Sequence, residues 1–208
     1  MAQQVLKPTA RTLPRGKIRY EQFLEWLDED TWAEWVDGEI ILMSPVSLEH
    51  SNLHAFLLTI LRLYVSFGQL GAVYSEPFQM KTGADLPGRS PGLLFVSQQH
   101  LHRLQPTYLD GPADLVVEII SPDSEARDRV HKFAEYEREG VREYWLIDPQ
   151  KWLAEFYLLS EEGKYLLQVK GDSGEYHSTV VEGFWLRIEW LWSPLPEVEV
   201  LKAWGILT

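Results

Sequence analysis

The sequence predicts a mixed α/β (α+β) fold, a mixed β-sheet flanked by helices and carrying extra β-hairpins, and three observations lead there. Helical and strand periods alternate along one chain. The run Leu115-Val116-Val117-Glu118-Ile119-Ile120 is apolar enough to form a central strand covered on both faces. Asp37-Gly38 lies between two β-type runs, the pairing that favours a tight type I′ hairpin turn.

Tyr20, Phe23, Leu24 and Leu27 recur at i, i+3, i+4 and i+7, the apolar stripe of a short amphipathic helix. Residues 33–36 and 39–43 are the arms of the Asp37-Gly38 hairpin, and Ser44-Pro45 ends the second arm. Ser47 is positioned as the N-cap of the longest early helix, in which Leu53, Leu57, Ile60, Leu61 and Tyr64 share a face until Gly68 and Gly71 stop it. Residues 71–81 read as a strand interrupted at Pro77, residues 82–90 as a loop, and residues 91–96 as a buried strand. A helical turn over 101–104 and a second loop lead into the 114–120 strand. The helix expected over 124–139 stops at Gly140, with Ala126, Val130, Phe133 and Ala134 facing inward and Arg129, Lys132 and Tyr136 on an adjacent stripe. Residues 141–147 form another strand, and residues 152–159 and 165–169 a hairpin around Glu161-Glu162-Gly163-Lys164, before a Trp-rich C-terminal segment.

At 208 residues and roughly 150 residues per domain, the expected organisation is an N-terminal extension over 1–19 and a single domain over 20–208. The absence of cysteine excludes disulfide frameworks, thiolate metal sites and cysteine nucleophiles, so a metal must sit on carboxylates or histidines. The N-terminal residues lack the apolar run of a secretory signal, and no stretch approaches the roughly 20 apolar residues of a membrane span. A cytoplasmic protein without a membrane partner is therefore expected. Nineteen Lys and Arg against 31 Asp and Glu give a net charge of −12, which weighs against broad electrostatic binding to nucleic acid but leaves room for a local basic groove or a metal-bridged phosphate.

Asp114 and Glu118 are four apart on the expected strand, so the period of two puts both on one face. The plainer reading has Asp114 in the entering loop and Glu118 at the exit, each solvated or paired with Lys or Arg. The sharper one is a divalent-cation site, because hard cations such as Mg²⁺ take carboxylate, carbonyl and water oxygens. His50 and His54, one helical turn apart, are better placed to face such a carboxylate cluster than to bind zinc, since the His-Glu-x-x-His pattern is missing. Arg127, Arg129, Lys132 and Arg138 make the one obvious basic concentration, either a solvated helix face or a place where phosphates approach.

Taken in order, Val36-Asp37-Gly38-Glu39-Ile40, Met43-Ser44-Pro45, Glu49-His50, Leu115 to Pro122, Lys132, Tyr136, Gly140 to Trp145 and Asp148-Pro149 resemble the restriction endonuclease-like family abundant in cyanobacteria, part of the PD-(D/E)XK nuclease superfamily. The resemblance spans about residues 20 to 160. It implies a restriction-endonuclease-like fold and Mg²⁺-dependent phosphodiester hydrolysis; the expectation built on it is a homodimer acting on DNA, with Mn²⁺ as a substitute for Mg²⁺. It makes Glu118 the acidic metal ligand and Lys132 the migrated catalytic lysine, with Ile120 where the superfamily's lysine usually stands. Glu49 becomes the auxiliary acid.

One departure matters. Where the family has Pro-Asp, with the Asp as central metal ligand, this chain has Pro91-Gly92. Asp85 or Asp114 would have to substitute. The expectation is thus an endonuclease impaired at Gly92 or, alternatively, a catalytically inactive relative that serves as a nucleic-acid-binding or dimeric interaction module.

Overall fold

Strand alternation sorts the apolar residues onto the two faces of a central sheet, described in a computed structural model for residues 12–28, 31–83 and 86–208. The elements in chain order are α1 (Tyr20–Trp26), β1 (Ala33–Val36), β2 (Glu39–Leu42), α2 (Leu48–Gly68), β3 (Gly71–Ser75), β4 (Gln79–Lys81), β5 (Gly88–Arg89), β6 (Leu93–Ser97), β7 (Tyr108–Asp110), β8 (Leu115–Ile119), α3 (Phe133–Glu139), β9 (Glu143–Asp148), β10 (Leu153–Leu159), β11 (Tyr165–Gly171), β12 (Glu175–His177), β13 (Trp185–Arg187) and α4 (Glu197–Ala203). The central sheet has the order β11-β10-β9-β8-β6-β3, antiparallel throughout except for the parallel pair β8 and β9. A second mixed sheet has the order β2-β1-β5-β4-β7, and β12 and β13 form a separate hairpin.

One face of the central sheet, carrying Leu93, Phe95, Leu115, Val117, Trp145 and Ile147, packs against α2 and the C-terminal segment. The opposite face carries Leu94, Val96, Val116, Ile120, Tyr144 and Leu146, and it packs against Tyr136 of α3 and against Met80 and Leu109 of the second sheet. Glu118 shares the parity of Val116 and Ile120, so it belongs to this second face. Covering both faces makes β6, β8 and β9 nearly continuous apolar runs.

The local signals act as expected at the turns. Asp37 and Gly38 both have positive φ, 51° and 88°, as a type I′ turn requires. The Ser47 hydroxyl accepts from the His50 N–H at 3.2 Å and caps α2. Gly140 ends α3 in the left-handed region. Residues 1–11 of the expected extension lie outside the described residues. Residues 12–19 are tied down by the Trp26 and Trp35 indoles, which donate to the carbonyls of Thr12 and Ile18.

Three readings change. There are two mixed sheets where one was expected, because β5 and β7, two and three residues long, are too short to carry a readable period and fall inside stretches read as loops. The helix expected over 124–139 opens with wider, π-type turns over Arg127–Lys132 before α3 begins. Its faces are also rotated: Val130 is exposed, whereas Asp128, Lys132 and Tyr136, spaced four apart, are buried. Lys132 and Tyr136 go inward because the buried Glu118 carboxylate meets them there, and Asp128 faces the Lys132 ammonium. No helix among the described residues is long and apolar enough to cross a membrane.

Candidate functional site

Glu118 points from β8 toward the helix that follows it. The Lys132 ammonium donates to Glu118 Oε1 at 2.8 Å, and the Tyr136 hydroxyl donates to the same oxygen at 3.0 Å. Oε2 is left with one long contact, from the Gly92 N–H at 3.4 Å. A lysine buried this completely (1% exposed) stays charged only when anions surround it. Glu34 Oε1 lies 3.1 Å and Asp128 Oδ1 3.6 Å from its nitrogen. Burial alone would draw the Lys132 proton off, but Glu118, Glu34 and Asp128 outweigh it and hold the ammonium above its ordinary range.

Glu34 comes from β1 of the second sheet. Its other oxygen accepts from Arg89 at 3.0 Å, and Arg89 grips Glu135 with two bonds, of 2.6 and 2.8 Å. The chain Glu135, Arg89, Glu34, Lys132, Glu118 thus ties the second sheet, the helix and the central sheet together. Burial raises Glu34, yet Lys132 and Arg89 more than compensate and keep its carboxyl below the usual range.

A cleft of about 210 Å³ opens at the Lys132 and Glu118 end of this chain, lined among others by Glu76, Gly92, Glu118, Asp128, Lys132 and His50. Glu76 follows β3 and donates its backbone N–H to the Gly92 carbonyl at 3.3 Å, one step beyond the Ser75 and Leu93 register pair. It therefore flanks the position where this chain has no side chain. Burial and then the charge of Glu118 push the Glu76 carboxyl up to about 8. Glu118 itself is pushed up to about 7, by burial first, with Lys132 opposing and Asp128 and Glu34 adding to the rise. Four residues lining the cleft carry a buried atom without a hydrogen-bond partner: Asp128 Oδ1, His50 Nδ1, Arg127 Nε and Trp32 Nε1. The cations nearest Asp128 Oδ1, Lys132 and Arg127, stand at 3.6 and 3.7 Å, beyond hydrogen-bond reach.

Of the residues singled out from sequence, Glu118 and Lys132 meet in this cleft. Glu49 does not reach it: it is exposed and lines a neighbouring recess with Asn52 and Trp152. Asp114 sits at the opposite end of the strand, in the entering loop as the plainer reading has it, but it is buried and its partners are neither solvent nor Lys or Arg: it accepts from the Ser97 N–H at 2.7 Å and pairs with His100 at 2.9 Å. Asp85 lies outside the described residues. The basic helix is mostly spoken for: Lys132 is buried, Arg129 pairs with Glu155 and Glu125, and Arg138 with Glu139. His54 Nε2 is 3.0 Å from the Gly92 carbonyl. Sequence reasoning missed Glu34, Glu76, Arg89 and Asp128. Only Asp128 left a readable signal, its four-residue spacing to Lys132 and from there to Tyr136.

The donor set suits a hard cation in a limited way. Glu118 Oε2, the Glu76 carboxyl and the unsatisfied Asp128 Oδ1 are oxygen donors with room to accept, but no three acidic or histidine side chains among the described residues form a ready metal cluster. Mg²⁺ tolerates this, since it is commonly held by one or two carboxylates completed by waters and substrate phosphate.

Comparison with known proteins gives a family and a fold. A family model described as "Uma2: Putative restriction endonuclease" matches residues 20–189. Among solved structures, the crystal structure of a protein from Anabaena variabilis, titled a putative nuclease belonging to DUF820, superposes with a TM-score of 0.71 at 18% identity over 85% of this chain and 98% of that one, a likeness of fold. No curated protein matches the chain.

Proposed function

Since the chain belongs to the Uma2 family of restriction-endonuclease-like proteins, we propose that it hydrolyses DNA phosphodiester bonds with Mg²⁺, or Mn²⁺ in its place. Glu118 and Glu76 would hold the ion together with substrate phosphate. The observation that carries this reading is the buried Lys132 ammonium at 2.8 Å from Glu118 on the floor of an open cleft. When bound, the ion supplies Lewis-acid polarisation of a phosphoryl oxygen.

The side chains do the rest. Lys132 and Tyr136 both bind Glu118 Oε1, which fixes the carboxylate plane and leaves Oε2 for the cleft. Lys132 keeps its charge, so it offsets negative charge that develops as water attacks phosphorus. Glu34, held by Arg89 and by the Ser90 N–H at 3.1 Å, prevents Lys132 from swinging away. Glu76 stands in for the acid that Gly92 cannot provide once its proton leaves.

Gly92 favours a second reading, a catalytically silent module that binds nucleic acid or a second copy. Calorimetric titration of Mn²⁺ into wild type and Glu118→Gln, with plasmid cleavage measured alongside, separates the two. Binding and cleavage that are both lost in the variant support the nuclease. DNA binding with neither Mn²⁺ binding nor cleavage in the wild type supports the silent module.

A further inference from the structure

Trp152 breaks two rules at once. It has φ +50°, in the left-handed region that bulky residues avoid, and its side chain is 58% exposed. The turn holding it is well defined, because Asp148 Oδ1 accepts from the Lys151 N–H at 3.0 Å. Its ring lies within 7° of parallel to that of Trp192, with centroids 6.4 Å apart. Trp192 is itself fixed, packed on the core and donating its indole N–H to the Asp172 carbonyl at 2.8 Å. A turn needing only φ > 0 is best made with Gly or Asn, and a Trp needing only burial would be inside. Strain of this kind, paired with an exposed aromatic face, marks a functional position.

The recess beneath Trp152, about 460 Å³ and rimmed by Glu49 and Asn52, adjoins the cleft. Pro149 walls both, and Ser47 of the cleft leads directly to Leu48 and Glu49 of the recess. We propose that Trp152 is a stacking platform for one unpaired nucleobase of the strand whose phosphate enters the cleft, a role that rests on the nuclease reading. At a net charge of −12 the protein gains little from tracking phosphates, so stacking, which is indifferent to charge, is the favourable contact left to it. Glu49 at the rim repels backbone phosphate but accepts from an exocyclic amine such as cytosine N4. This gives Glu49 a part in reading the base edge.

The test uses the full chain, fluorescence anisotropy and a labelled ten-nucleotide single strand, intact or with one base removed at each position in turn, with and without Mn²⁺. For wild type, one abasic position should weaken binding about 5- to 100-fold, the range for loss of a single stacked base. Trp152→Ala should show the same loss with the intact strand and no further loss with the abasic one, and Trp152→Phe should recover most of it. Trp152→Gly separates folding from binding: it relieves the backbone, so thermal stability should hold or rise while affinity falls. Wild-type binding that Trp152→Gly and Trp152→Ala leave unchanged overturns the platform and leaves the nuclease reading standing. A wild type that binds no strand under either condition also overturns the platform, while cleavage of plasmid DNA decides the nuclease reading separately.

Discussion

Lys132 Nζ lies 2.8 Å from Glu118 Oε1, with the lysine side chain 2% and the glutamate side chain 7% exposed. Two charges removed from water to this degree depend on each other, and deleting one leaves the other stranded. Lys132→Met should therefore cost about 3–5 kcal/mol of stability in urea denaturation, far more than a surface lysine. Adding Glu118→Gln to that variant should return part of the loss, because the orphaned carboxylate goes with it. Equal stability of Lys132→Met and wild type would mean that the pair is not buried in solution.

The raised carboxyls predict an unusual pH profile. Glu76 titrates at about 8 and Glu118 at about 7 in the fold, against 4.5 in the absence of the fold. Between these values the folded state binds more protons than the unfolded chain, so stability is greatest below about pH 4.5 for these two groups and declines as pH rises to about 8. Glu76→Gln should flatten the decline, making the variant more stable than wild type at pH 9 by roughly 1 kcal/mol or more. Thermal melts from pH 5 to 9 would show it, and parallel curves for the two proteins would contradict it.

Asp114 and Glu118 should part company under substitution. Asp114 accepts from Ser97 and pairs with His100, away from the cleft. Asp114→Asn should therefore cost about 1–2 kcal/mol through the weakened charge-assisted bonds while leaving Mn²⁺ affinity at the wild-type value in calorimetry. A matching loss of Mn²⁺ affinity would return Asp114 to the metal site.

How far the sequence could be read follows from where each residue's information resides. The place of Glu118 was legible because a strand's period of two is local, whereas Lys132, read locally onto a stripe beside the inward face, was reached only through the resemblance to a family. Glu49 was misplaced by a rotation of one residue, about 100° on a helix: His50 and His54, one turn apart, face the cleft side, and Glu49 precedes them onto the face that meets Trp152. Glu34 and Arg89 sit on β1 and β5, and their contact with Lys132 and Glu135 depends on how a second sheet docks, which no local period records. Glu76 next to Pro77 reads as an ordinary strand end. Only the β3 and β6 register sets it beside Gly92.

That register makes Gly92→Asp the most informative substitution. A Cβ at Gly92 would meet the Val117 carbonyl oxygen at 3.0 Å, and that oxygen belongs to a central strand with little freedom to shift. The new carboxylate would also join Glu76 and Glu118 in a site already short of positive charge. In metal-free buffer the variant should therefore be less stable than wild type by about 1–3 kcal/mol. With Mn²⁺ the sign should reverse, since a cation relieves the crowded acids and binds the folded state alone. Its affinity should rise roughly tenfold or more over wild type, equivalent to about 1.4 kcal/mol. Calorimetry and melts with and without Mn²⁺ read both effects. A less stable protein with unchanged Mn²⁺ affinity would mean that Glu76 already occupies the position a carboxylate at 92 would take, and Glu76→Gln in the Gly92→Asp background should then cost no affinity.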